Sequence, residues 1–258
     1  MIKATFITGA SSGLGREFAK LYAKDGNNLI LVGTNLERLQ QTKKETLEIN
    51  DKINVDIITA DLSITEELKR VFQTVNEKNY FINNVINNAG FGDCCDFKDM
   101  DIDYQIKMTN VNCNALLYFS RVFLDDMLEN NEGHIINVGS IAGFVPGPFM
   151  CTYHATKSYV LSIGEALSHE LRKTKIKVLT LCPGPFESEF VKKSNNDYKF
   201  WKIKPITAAK VAEIGYKASK AGKSVKIVGT KNWFTMFITR FFPRKFVAST
   251  SAKTLKKE

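Results

Sequence analysis

The chain has 258 residues, 44% hydrophobic and 24% charged, enough apolar material for a sizeable core and within the range that one α/β domain fills. Lys and Arg outnumber Asp and Glu by 36 to 27, a formal net charge of +9, which suits an anionic ligand or acidic surface; no nucleic-acid recognition motif accompanies it. Five cysteines (Cys94, Cys95, Cys113, Cys151 and Cys182) without CxxC spacing and three scattered histidines exclude a regular disulfide framework and give no metal site.

The opening MIKATFITGASSG breaks into a glycine turn too soon for a signal peptide, and no segment reaches about 18 consecutive apolar residues. A reduced, cytoplasmic protein is expected, at most peripheral to a membrane. From the N-terminus, short runs rich in Ile and Val predict seven strands, at residues 5–8, 29–32, 55–59, 84–86, 135–138, 178–181 and 225–228. Apolar residues at three- and four-residue spacing predict helices over 13–24, 36–49, 66–76, 104–129, 152–173 and 208–221. Uninterrupted apolar strands alternating with helices mean a mostly parallel sheet covered on both faces, a doubly wound, Rossmann-like α/β fold. Residues 1–230 form the expected domain, and 231–258 an aromatic and basic tail.

The first strand runs into Thr8-Gly9-Ala10-Ser11-Ser12-Gly13-Leu14-Gly15, where a helix begins. Glycines at Gly9, Gly13 and Gly15 permit a tight turn and close backbone approach, and N–H groups from Ser11 to Leu14 would face a pyrophosphate at the helix start. The spacing is GxxxGxG, not the commoner GxGxxG, and alone it is also that of an ordinary strand–helix turn. After the third strand come Asp61 and Leu62, where the carboxylate or the neighbouring amide reaches toward an adenine ring; a residue ahead of a helix cap is the simpler reading of Asp61. Asn87-Asn88-Ala89-Gly90 closes the fourth strand with residues small enough for backbone contact with a ribose.

The fifth strand ends at Ser140, and Tyr153 and Lys157 follow. Their i,i+4 spacing puts them on one helical face. A phenol with an ordinary pKa of about 10 exchanges protons poorly near neutrality, but a neighbouring ammonium and an oxidised nicotinamide would both favour its phenolate. Tyr153 would then give a proton to a developing alkoxide or take one from an alcohol, with Ser140 holding the substrate oxygen. YxxxK alone is common as a buried aromatic beside a solvated lysine; in combination with the glycine turn it is specific.

With TGASSGLG at 8–15, NNAG at 87–90, Ser140, Tyr153, Lys157 and Pro183-Gly184 in this order, residues 3–230 resemble the short-chain dehydrogenase/reductase family of the compact single-domain type. The resemblance implies a fourth catalytic residue, an asparagine supporting a water relay. Asn110, Asn112 and Asn114 compete for it, and Asn112, followed by Ala115, fits the pattern best. It also implies a cofactor contact after Pro183-Gly184, for which Ser188 supplies a hydroxyl in place of the usual threonine, and a homodimer or homotetramer paired through the two long helices.

At the end of the second strand stands Gly33-Thr34-Asn35, without the acid that would bind adenosine ribose hydroxyls and repel a 2′-phosphate. Thr34, Asn35, Ser11 and Arg38 are candidates to hold that phosphate, so NADP(H) is the expected cofactor and NAD(H) the second candidate. The arginine that NADP-preferring relatives often carry just after the strand is missing.

The substrate is a small carbonyl or alcohol, with residues 185–205 as a lid. Phe144, Val145, Phe149, Phe186, Phe190 and Trp201 suit a lipophilic one and are explained equally by core packing. The tail at 232–242 is strongly apolar and is followed by cations. Packing on the subunit or an oligomer partner, lining of the substrate entrance, and contact with an anionic membrane all stay open for it. The competing functional class is a catalytically silent dinucleotide-sensing or scaffolding protein, against which a complete Ser140, Tyr153 and Lys157 argues.

Overall fold

The computed structural model describes residues 2–187 and 206–255. The chain runs β1 (Ile2–Thr8), α1 (Gly13–Lys24), β2 (Asn28–Gly33), α2 (Leu36–Ile49), β3 (Val55–Thr59), α3 (Thr65–Glu77) and β4 (Tyr80–Asn87). It continues through α4 (Ile102–Thr109), a π-helical turn (Asn110–Asn114), α5 (Ala115–Val122), α6 (Leu124–Asn130), β5 (Gly133–Val138), a 3₁₀ turn (Ile141–Phe144) and α7 (Cys151–Glu170). Then come β6 (Ile176–Cys182), β7 (Phe186–Glu187), β8 (Ile206–Thr207), α8 (Ala208–Lys220), β9 (Val225–Ile227), α9 (Thr230–Thr239) and α10 (Arg244–Leu255).

Seven strands pair in the order β3-β2-β1-β4-β5-β6-β9, every pair parallel. This is the doubly wound, Rossmann-like fold. Side chains alternate across a strand, so an apolar strand feeds two cores. Phe6, Ile30, Val32, Val85, Ile135 and Val178 pack on one face with Val71, Phe119 and Phe123. Ile7, Leu29, Leu31, Ile86, Ile136 and Leu179 pack on the other with Phe18, Leu39 and Val211. The strands read as unbroken apolar runs because both faces are covered.

The chain reverses its direction of winding between β1 and β4. A crevice at such a switch point, outside the carboxyl ends of the strands, is where an open α/β sheet takes its ligand. The glycine turn follows β1, residues 88–90 follow β4, and Ser140 follows β5.

Two expectations from the sequence need correction, and one segment without a predicted element gains secondary structure. The helix expected over 104–129 is not continuous: a π-helical turn interrupts it at Asn110–Asn114, and a second break falls at Phe123. β4 starts four residues ahead of its apolar signal, because Asn83 and Asn84 interrupt the pattern without interrupting the strand; Asn84 Nδ2 donates to Thr5 Oγ1 at 3.2 Å on the neighbouring strand. The tail after residue 230 is two helices, with Pro243 between them and its carbonyl accepting from Val247 N at 3.1 Å.

Candidate active site

The glycine turn is built for close approach. Gly9 and Gly13 have φ of +64° and +52°, in the left-handed region that disfavours a side chain. A Cβ on Gly9 would stand 2.8 Å from Asn88 Nδ2, and one on Gly15 would collide with the Gly9 carbonyl. Thr8 Oγ1 accepts from Asn88 N and Ala89 N, each at 3.0 Å, while Asn88 Nδ2 donates to the Thr8 and Gly9 carbonyls at 2.9 and 3.2 Å. The loops after β1 and β4 are thereby laced together. Ser12 precedes α1 without a side-chain cap, and no acid occupies the first turn. Those backbone N–H groups and the positive end of the helix dipole suit a phosphate, so the residues fit a dinucleotide.

Thr34 and Asn35, which follow β2, and Arg38, in the first turn of α2, are exposed. Asn35 Oδ1 caps α2, accepting from Arg38 N at 2.8 Å. Arg16, which the sequence reading passed over, donates from Nη2 to the Ser11 carbonyl at 2.8 Å and pairs with Glu45 at 3.4 Å. Asp61 accepts from Lys107 Nζ at 2.7 Å and from Ser63 N and Oγ at 3.0 and 2.7 Å. Burial pushes its carboxyl up, but these hydrogen bonds outweigh it and hold the pKa below the usual value. With the Asp61 side chain so engaged, the backbone at Leu62 is the better candidate to meet an adenine.

Ser140 starts the 3₁₀ turn: its Oγ accepts from Ala142 N at 3.1 Å and lies 3.5 Å from the Pro183 carbonyl. That carbonyl also accepts from Ile141 N at 3.0 Å, tying the β5 and β6 loops together. Tyr153 and Ser140 are hydrogen-bonded through their side chains. One turn on, Lys157 is buried, donates from Nζ to the Val138 carbonyl at 2.8 Å and lies 5.8 Å from the Tyr153 ring centre. Of the three competing asparagines, Asn110 donates to the Ser63 carbonyl at 3.1 Å and Asn114 donates to Asn110 at 2.8 Å. Asn112 points into the site, donating to Thr156 Oγ1 at 3.0 Å. A Cβ on Gly90 would lie 3.0 Å from Asn112 Oδ1 and 3.5 Å from Lys157 Nζ, so these two side chains converge there.

Burial sets the protonation of the pair. It pushes the Tyr153 phenol up to about 12, against the hydrogen bond from Ser140, and pulls the Lys157 ammonium down to about 8. The expected lowering of Tyr153 by Lys157 is absent in the protein by itself. Lys157 Nζ is turned to the Val138 carbonyl, and a desolvated phenol resists ionisation more than Ser140 favours it.

The residues proposed to line a substrate pocket separate. Phe149 and Tyr153 pack on a small apolar cluster of Cys94, Met150 and Leu255, the last from α10. Phe149 holds φ +68°, a strained conformation for an aromatic residue, and its carbonyl accepts from Cys95 N at 2.9 Å. Phe186 packs on the sheet core. Ser188, Phe190 and Trp201 lie outside the described residues, as does most of the expected lid. The sequence reading missed three supports. Thr8 laces the loops, and Thr156 holds Asn112 while donating to the Tyr153 carbonyl at 2.8 Å. His154 has Nδ1 2.9 Å from the Val145 carbonyl.

The family model for short chain dehydrogenases matches residues 3–199. An uncharacterised oxidoreductase of Staphylococcus aureus is 32% identical over 182 residues, 70% of this chain and 77% of that protein. Among solved structures, a short-chain dehydrogenase from Sphingobium yanoikuyae in complex with NADPH superposes with a TM-score of 0.83 at 25% identity, covering 93% of this chain and 94% of that one. A bulky-bulky ketone specific alcohol dehydrogenase from Comamonas testosteroni gives 0.78 at 26% identity, covering 93% and 92%. The chain therefore belongs to the short-chain dehydrogenase family. It is an oxidoreductase of alcohol and carbonyl groups. Among the described residues no helix is long and apolar enough to cross a membrane, and no cluster of His, Cys, Asp and Glu could hold a metal.

Proposed function

We propose that the protein is an NADP(H)-dependent carbonyl reductase in which Tyr153 donates the proton. The observation that carries this reading is the meeting of Tyr153 and Ser140 through their hydroxyls, together with the convergence of Lys157 and Asn112 at Gly90. The cofactor, when bound, supplies the hydride.

Ser140 and Tyr153 would both hydrogen-bond the substrate oxygen, orienting the carbonyl. A phenol with a pKa near 12 stays protonated at neutral pH, the form a proton donor needs in the reductive direction. Tyr153 Oη gives its proton to the alkoxide as that charge develops. Lys157 and the backbone at Asn88, Ala89 and Gly90 would hold the nicotinamide ribose, and Asn112 would steady a water that returns the proton. Pro183 and Gly184, with Ser188 beyond the described residues, would border the nicotinamide.

NADP(H) is favoured by the absence of an acid at Thr34 and Asn35, and by the NADPH bound in the Sphingobium relative. The ketone specificity of the Comamonas relative and the Phe149 and Leu255 cluster support a bulky, lipophilic carbonyl. A homodimer or homotetramer is part of the same reading by family resemblance. The test is a panel of aldehydes, ketones and alcohols followed by nicotinamide absorbance with each cofactor. Ketone reduction with NADPH is the expected result. Cofactor binding without turnover across the panel would favour the silent sensing or scaffolding alternative.

A further inference from the structure

Helices α9 and α10 turn their aromatic side chains outward. Met236 faces the protein and is buried, whereas Trp233 and Phe234 are 54% and 60% exposed, and Phe237, Phe241, Phe242 and Phe246 are exposed with them. The rings are ordered: Trp233 and Phe237 stack at 5.5 Å, Phe237 meets Phe241 at 5.4 Å, and Phe242 stacks on Phe246 at 5.1 Å. A contiguous exposed patch of this kind marks an interaction surface.

Charge identifies what would cover it. From residue 214 to residue 257 the sequence has no Asp or Glu. Lys231, Arg240, Arg244 and Lys245 are exposed among or beside the rings. A second copy of the chain docking by a two-fold contact would set these cations against their own counterparts, and the core of a protein interface is depleted in charge. Aromatic rings bounded by cations match the apolar and anionic layers of a lipid surface.

We propose that the exposed faces of α9 and α10 dock the protein on an anionic lipid bilayer, with Trp233, Phe234, Phe237, Phe241, Phe242 and Phe246 entering the acyl boundary and Lys231, Arg240, Arg244 and Lys245 meeting the headgroups. The helices lie in the surface and do not span it.

Flotation of the full chain with vesicles of phosphatidylcholine and phosphatidylglycerol tests this, with pure phosphatidylcholine vesicles as the neutral control. The protein should float with the anionic vesicles, remain behind with the neutral ones, and detach as salt is raised. Trp emission should shift to the blue on binding and lose that response in Trp233→Phe. A Phe237→Ser/Phe241→Ser variant and an Arg240→Gln/Arg244→Gln/Lys245→Gln variant should each bind at least about tenfold more weakly, with unchanged melting temperature. Wild-type protein that stays out of the anionic lipid fraction overturns the proposal, as does equal flotation of wild type and both variants. Loss of oligomer in the aromatic variant, together with a wild type that ignores vesicles, would assign the face to a second copy instead.

Discussion

Asn112 engages both backbone polar groups of Phe91: its Oδ1 accepts from Phe91 N at 3.0 Å and its Nδ2 donates to Phe91 O at 2.9 Å. The side chain thus acts as a short piece of strand, pinning the loop after β4 to the π-helical turn. A widened turn inside an α-helix often marks a functional site, and here it carries Asn112 toward Gly90. Replacement by Ala leaves the partly buried Phe91 groups without this partner. Asn112→Ala should lose about 1–2 kcal/mol of stability, read by denaturant unfolding, and should lower kcat more than Asn112→Asp, which keeps the acceptor.

Tyr153→Phe keeps the ring against Met150 and Leu255 and removes only the hydroxyl. Turnover should fall on the order of 10²–10⁴-fold while the dissociation constant for NADPH, measured by fluorescence titration, changes little. Undiminished reductase activity would remove Tyr153 from its assigned role.

Lys157 lowers stability where its charge is present. Its pKa falls from the ordinary 10.5 to about 8 on burial, so below pH 8 folding carries the full cost of desolvating the ammonium. Between pH 8 and 10.5 the unfolded chain binds more protons than the folded one, and stability rises with pH. Lys157→Met should be more stable than wild type at pH 7 by about 1–2 kcal/mol, a desolvation gain partly offset by the lost bond to the Val138 carbonyl. Its activity should be abolished. Unfolding curves at pH 7 and pH 10 should show the advantage shrinking at the higher pH.

The cofactor assignment turns on Thr34. Thr34→Asp puts a carboxylate where the 2′-phosphate of NADP(H) would lie, and the ratio of kcat/KM for NADPH to that for NADH should fall at least about tenfold. A wild-type chain that already prefers NADH would refute the NADP(H) reading before the variant is made.

Gly164 lets α7 sit close against β6. A Cβ there would collide with Thr180 Oγ1, a buried hydroxyl. Gly164→Ala should cost about 1–3 kcal/mol and shift Tyr153 and Lys157 on the same helix, lowering kcat. Adding Thr180→Ala should restore much of both, as measured by melting temperature and initial rate.

The parts of this site that were legible in the sequence are those encoded locally. Tyr153 and Lys157 share a helical face by spacing alone, the glycine turn is one run of eight residues, and fully buried strands announce themselves as apolar runs. What could not be read depends on partners remote in the chain. Asn112 stood apart from its neighbours only by family resemblance, because its partner Phe91 lies across a loop. The Lys157 bond to the Val138 carbonyl, which engages its ammonium, has no local signature. The α9 helix was hidden for another reason: its apolar stripe faces outward, so the pattern that normally reports a core reported a surface.

Leu255, near the end of α10, is 6% exposed and packs with Cys94 and Met150 against Tyr153, while its carbonyl lies 3.6 Å from Cys94 Sγ. Part of the wall beside Tyr153 is therefore supplied by a helix outside residues 3–199, where the family model matches. Substitutions in α10 would therefore reshape that wall while leaving Ser140, Tyr153 and Lys157 in place. Saturation mutagenesis at Leu255 and its α10 neighbours is the economical place to look for an altered substrate range.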